Sequence, residues 1–147
     1  MRWLIDTNVL SESIRPRPDR NVLQWIAAQD FRDTVISVVT IAEIVEGIAV
    51  APTAERRNKL SAWLDDTVKP MFAGRTLDLT VEILADWLML ARRLARAGKS
   101  QEAPDLLIAS TARIHNLVVV TRNHGDFASC GVVVFNPWTG ETYGAEE

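Results

Sequence analysis

The chain has a single cysteine, Cys130, two histidines, His115 and His124, and no apolar run approaching the roughly 20 residues that cross a bilayer. One thiol cannot build an internal disulfide framework, and one thiol with two imidazoles makes no zinc cluster. A reducing compartment, the cytoplasm, is therefore the expected home, with no membrane association. The N-terminus lacks a signal peptide's apolar core and small-residue cleavage site. Neither G-x-G-x-x-G nor a P-loop occurs, which removes the glycine-rich nucleotide cradles. Basic charge is not in surplus either: 16 Lys+Arg against 19 Asp+Glu leave −3, which argues against coating nucleic acid by bulk electrostatics.

What is present fits one soluble domain. At 147 residues and 48% hydrophobic, the chain is long enough to bury its own core. Neither an internal repeat nor a linker is visible, so residues 1–138 are expected to form a single domain. The closing "TGETYGAEE" (139–147), polar and acidic, is expected to be a flexible tail. Three segments rich in β-branched residues read as buried strands: "RWLI" (2–5), "TVISV" (34–38) and "LVVVT" (117–121). "RTLDL" (75–79) and "GVVVF" (131–135) are weaker candidates.

Helical periodicity lies between the strands. Val22, Leu23, Trp25 and Ile26 share one face, and Ile41, Ile44, Val45 and Ile48 another. Leu60, Trp63 and Leu64 predict a helix over 53–72, and Ile83, Leu84, Trp87, Leu90 and Leu94 one over 80–98, with Gly98 suited to its end. A last helix is expected from Pro104 to His115. These tryptophans read as helix-packing residues. Alternating strands and helices imply an α/β fold, with a mainly parallel sheet and helices on both faces.

In such a fold, strand C-termini and helix N-termini collect at one edge of the sheet, where ligands bind. Four acids fall there. Asp6 ends the first strand, Glu43 is expected in the first turn of a helix capped by Thr40, Asp105 opens the helix at Pro104, and Asp126 closes the turn "RNHGD". Each has an ordinary alternative. Asp6 can cap a helix, Thr40 to Glu43 matches a capping box, Asp105 can complement a helix dipole, and Asp126 can open a turn. Together, however, like charges at one edge are costly unless a cation offsets them. All-oxygen ligands suit Mg²⁺ or Mn²⁺, and carboxylates holding such ions cut phosphodiesters by activating and aligning water. Asn8 and Thr121 are placed to orient the acids.

The motifs "LIDTNVLSE" (4–12), "SVVTIAEIVEGI" (37–48), "APDLLIASTARIHNLVVVTRNHGDF" (103–127) and "VFNPW" (134–138) resemble, in that order, the PIN-domain ribonucleases, and within them the VapC-type toxins of type II toxin–antitoxin systems. The resemblance implies a three-layer α/β/α sandwich around a five-stranded sheet ordered 3-2-1-4-5. It also implies a Mg²⁺- or Mn²⁺-dependent endoribonuclease, acting on transfer, ribosomal or messenger RNA and leaving a 5′-phosphate and 3′-hydroxyl. A homodimer and a cognate VapB-like antitoxin that blocks the site are further implications. Carried over by position, the family's acidic set falls on Asp6, Glu43, Asp105 and Asp126, its polar helpers on Asn8 and Thr121.

Arg122 is placed to meet a phosphate, and Arg92, Arg93 and Arg96 could track an RNA backbone, although such a run is also the ordinary solvated face of a helix. Two rivals remain. A receiver-like phosphoacceptor wants a pair of acids at its first strand and a lysine after its last, whereas "FNPW" follows here, and a D-x-D phosphohydrolase is opposed by Asn8. A non-catalytic PIN-shaped module that binds RNA or a partner is the alternative from another class.

Overall fold

The computed structural model describes residues 2–144. Its three most β-branched segments make the middle of the sheet: β1 (Trp3–Ile5), β2 (Thr34–Ser37) and β4 (Val118–Val120). β1 pairs in parallel with both neighbours, Leu4 lying beside Val35 on one side and Val119 on the other. β3 (Thr76–Leu77) adds in parallel outside β2, and β5 (Val134–Asn136) outside β4. The order 3-2-1-4-5 is the expected one, but the sheet has six strands, because β6 (Glu141–Tyr143) pairs antiparallel with β5.

β6 lies inside the segment expected to be a tail. Thr139 and Gly140 turn the chain back, both N–H groups donating to the Asn136 carbonyl, and Tyr143 then stacks on His124 at 4.0 Å between ring centroids. The polar composition that suggested a tail is that of a hairpin turn and an exposed edge strand. Residues 145–147 of the expected tail lie outside the described residues.

Successive strand residues point to opposite faces, which divides the core in two. Leu4, Val35 and Val119 face α6 (Val81–Arg96) and α7 (Ala103–His115), meeting Leu90, Leu94, Leu106 and Ile108. Ile5, Ile36 and Val120 face the other way, meeting Val9 of α1 (Thr7–Glu12), Val22 of α2 (Arg20–Ala28), Ile44 of α3 (Val38–Ala49) and Trp63 of α4 (Ala54–Trp63). Each such side chain contributes roughly 1.5–3 kcal/mol on burial. The tryptophans pack as expected: Trp63 and Trp87 join the two cores, and Trp3 meets Trp25 edge-on at 5.3 Å.

α6 is bounded by local chemistry. The Thr80 hydroxyl accepts the Ile83 N–H at 3.2 Å, and Gly98, at φ +71°, lets the Lys99 N–H return to the Leu94 carbonyl at 2.8 Å.

Two helices depart from expectation. α3 starts at Val38, and its cap is Ser37, whose hydroxyl accepts the Val39 N–H at 3.0 Å; Thr40 is not the cap. Val38 and Val39 favour a strand intrinsically, yet Val39 is buried in the first core, and that packing overrides the preference. The helix expected over 53–72 is interrupted. After α4, Leu64–Val68 forms a wider π-helical turn before the short α5 (Lys69–Met71). Pro70 lacks the N–H that a regular helix would use, and the Lys69 N–H reaches back to Leu64.

Candidate active site

Asp6 and Thr121 step off adjacent strands together. The Asp6 N–H donates to the Val120 carbonyl at 3.0 Å, extending the β1–β4 ladder by one residue, and both side chains then turn into the edge. The Asp6 carboxylate is 6% exposed, yet fully engaged. Its Oδ1 accepts the Thr7 N–H at 2.8 Å, which makes it the cap of α1. Its Oδ2 accepts the Thr121 hydroxyl at 2.8 Å and the Asn8 amide at 3.3 Å. Asn8 Nδ2 is also 3.0 Å from Thr121 Oγ1, and its Oδ1 accepts the Arg122 N–H at 3.3 Å. Capping and site-building are thus two uses of the same carboxylate.

With α3 beginning at Val38, Glu43 belongs to the second turn, so the capping-box alternative does not hold. Its Oε1 instead accepts the Thr7 hydroxyl at 2.9 Å, a contact across 36 positions of sequence. Thr7 was not among the residues singled out from sequence; the only signal was its place between Asp6 and Asn8. Asp105 sits in the first turn of α7 and Asp126 in α8 (His124–Phe127). Neither carboxylate has a hydrogen-bond partner, and none of the four acids forms an ion pair among the described residues.

The acids act on one another. Asp105 is pushed up to about 6, by burial first and then by Asp126 and Asp6. Burial likewise raises Glu43, with Asp6 and Asp105 adding to it against the Thr7 hydrogen bond. Asp6 is raised by burial despite the donors at Thr121 and Thr7, and Asp126 pushes it further. Four acids from four elements therefore share one electrostatic neighbourhood, and among the described residues no basic side chain pairs with any of them. The donor set, oxygen only and anionic, fits a hard divalent cation. Among the described residues no three of these side chains stand close enough to hold an ion as they are, so the arrangement is an open edge rather than a closed cage.

A model of the PIN domain matches residues 3–131, the span that contains all four acids. The chain belongs to the PIN-domain family. Toxin FitB of Neisseria gonorrhoeae is 37% identical over 135 residues, covering 92% of this chain and 97% of that protein. VapC ribonuclease Y4jK of Sinorhizobium fredii is 36% identical over 135 residues, covering 92% and 96%. Among solved structures, FitAcB from Neisseria gonorrhoeae superposes with a TM-score of 0.85 at 37% identity, covering 92% of this chain and 98% of that one.

The four arginines of this PIN domain expected to meet RNA divide into two groups. Arg122 adjoins the acids, tied to Asn8 through its backbone, with its guanidinium 5.1 Å from the centroid of the Trp138 ring. Arg92, Arg93 and Arg96 are exposed on the C-terminal half of α6 and pair with none of the acids. Asp86 bonds Arg113 at 3.2 Å, and the Cys130 thiol feels both Arg93 and Asp105, so the basic run approaches the end of α7 that carries Asp105.

Proposed function

We propose that the chain is a Mg²⁺- or Mn²⁺-dependent endoribonuclease, the toxin of a toxin–antitoxin pair, acting in the cytoplasm and restrained by a VapB-like antitoxin. The observation that carries this reading is the set Asp6, Glu43, Asp105 and Asp126 at the carboxyl edge, mutually repelling and without an ion-pair partner among the described residues. The names of the relatives, a toxin and a ribonuclease, support the same reading. Asp6, Glu43 and Asp105 would hold the ion, with Asp126 completing the site. Bound there, a divalent cation supplies an activated water and neutralises charge on the phosphodiester.

The chain's own contribution is positioning. The Thr7 hydroxyl orients Glu43 and the Thr7 N–H holds Asp6 Oδ1, while Asn8 and Thr121 both hold Asp6 Oδ2. Arg122 meets a phosphate beside the acids, and Arg92, Arg93 and Arg96 follow the RNA backbone, one set per protomer of a homodimer. The substrate is RNA, with transfer RNA one candidate class.

Asp6→Asn keeps the capping geometry and removes the charge, so the variant should fold and cease to cleave RNA. Cleavage at the wild-type rate by the folded variant, with contaminating nuclease excluded, would refute the assignment. Calorimetric titration with Mn²⁺ should show a stoichiometric site that Glu43→Ala abolishes. Absence of binding to both proteins would instead favour a non-catalytic binding module.

A further inference from the structure

A cleft of about 440 Å³ opens between the start of α2 and the turn after β5, lined by Asn21, Gln24, Trp25, Phe135 and Trp138. Its size is within the range of small-ligand sites. We propose that it is a nucleobase subsite, holding an unpaired base of the RNA adjacent to the scissile phosphodiester; this rests on the ribonuclease reading above.

The location follows from Arg122, which links the cleft to the acids. Its N–H donates to Asn8 Oδ1, and Asn8 donates in turn to Asp6 Oδ2. Its guanidinium stands over the indole of Trp138, a wall of the cleft. A phosphate held by Arg122 therefore has the acids on one side and the cleft on the other.

The chemistry fits a base. Unpaired RNA bases are held by stacking on aromatic rings or guanidinium planes, and identified by hydrogen bonds along their edges. Trp138 offers an aromatic plane in the wall of the cleft, with the Arg122 guanidinium stacked on it. Asn21 donates its Nδ2 to the Trp138 carbonyl at 3.0 Å, which fixes the amide and leaves Oδ1 without a partner, and the whole Gln24 amide has none among the described residues. Two amides able to donate and accept match the edge of a base. A leucine-rich peptide segment in the same place would leave them unpaired.

Gln24 is exposed and its side chain has no hydrogen-bond partner among the described residues, so Gln24→Ala leaves the fold alone. In the non-cleaving Asp6→Asn background, full-length protein is titrated with labelled single-base oligoribonucleotides and with an abasic oligomer of equal length, followed by fluorescence anisotropy. At least one base should bind more tightly than the abasic oligomer. Adding Gln24→Ala, confirmed folded by circular dichroism, should remove roughly fivefold or more of that preference and leave abasic binding unchanged, whereas Trp138→Leu, which also removes the ring under Arg122, should remove the preference and weaken abasic binding as well. With Asp6 intact, Gln24→Ala should redistribute the bases flanking the cut in sequenced RNA ends. Equal binding of abasic and base-bearing oligomers would overturn the proposal. So would variants that bind every oligomer as the parent does, including any that lose only antitoxin capture. Base-selective binding without cleavage by the wild-type chain would leave the subsite standing and strike the ribonuclease reading alone.

Discussion

Replacing Asp105 by Asn should stabilise the protein in the absence of divalent metal. The Asp105 carboxyl rises from 3.8 to about 6 through burial and then through Asp126 and Asp6, so its ionised form is disfavoured in the folded state relative to the unfolded chain. At full strength that displacement corresponds to about 3 kcal/mol. The side chain is only partly buried, and solvent screening reduces the figure to about 1 kcal/mol. Because the folded value lies above the unfolded one, the penalty is present above pH 6, shrinks as the pH falls from about 6 toward 4, and is absent below the unfolded value. Thermal unfolding in a chelating buffer at pH 8 should place the midpoint of Asp105→Asn about 2–4 °C above wild type. At pH 3, below the unfolded value, the two midpoints should coincide. Excess Mn²⁺ at pH 8 should reverse the order, since only the wild type keeps the full set of anionic donors. A variant no more stable than wild type at pH 8 under chelation would show that Asp105 is not under strain from its neighbours, and the reasoning about a shared cation would fail with it.

Thr121→Val removes the hydroxyl that serves Asp6 Oδ2 and accepts the Asn123 N–H at 3.1 Å, and should cost about 1–3 kcal/mol in urea unfolding at neutral pH; an unchanged midpoint would contradict the network. Thr7→Val keeps the shape at the start of α1 but frees Glu43, so Mn²⁺ affinity should fall roughly tenfold or more by calorimetry with little change in thermal midpoint. Gly131 lies at φ +71°, and a Cβ there would come within 2.7 Å of Arg113 Nη1, which donates to the Cys130 carbonyl. Gly131→Ala should therefore destabilise by roughly 1–3 kcal/mol while leaving the specific activity of the folded fraction unchanged, a combination readable from denaturation and RNA-cleavage assays on the same sample.

The parallel frame was readable because its strands announce themselves twice, by β-branching and by opposite-facing pairs. Leu4 with Ile5, Val35 with Ile36 and Val119 with Val120 each place one side chain in either core, so a short apolar run already implies a strand covered on both faces. Where the reading slipped, tertiary contacts outweighed local preference. Val38 and Val39 look like strand, yet Ser37 caps a helix there because Val39 finds a buried place beside Leu4 and Val35. In β6 the composition signalled exposure correctly, but exposure does not distinguish a loose end from an edge strand. What ties β6 down is its pairing with β5, between positions such as Phe135 and Thr142, which no local pattern reveals.

The acids were legible for a different reason: topology alone carries strand ends and helix starts to one edge, and a carboxylate found at four of those places needs an explanation that four separate caps do not supply. Asp6 shows why the alternatives were not exclusive. Its Oδ1 caps α1 while its Oδ2 is held by Thr121 and Asn8, so the same side chain starts a helix and belongs to the acid cluster. Thr7 was hidden because its role lies in a side-chain contact with Glu43, between elements whose relative placement depends on the whole fold. The capping-box interpretation of Glu43 failed on a shift of the helix cap from Thr40 to Ser37, which moves the glutamate about one turn inward, out of reach of the cap and against Thr7. A glutamate that had merely closed a cap would have satisfied the helix and left Asp6 alone. Turned into the edge, it is raised by burial and by its acidic neighbours, and that added repulsion is what a divalent cation would relieve.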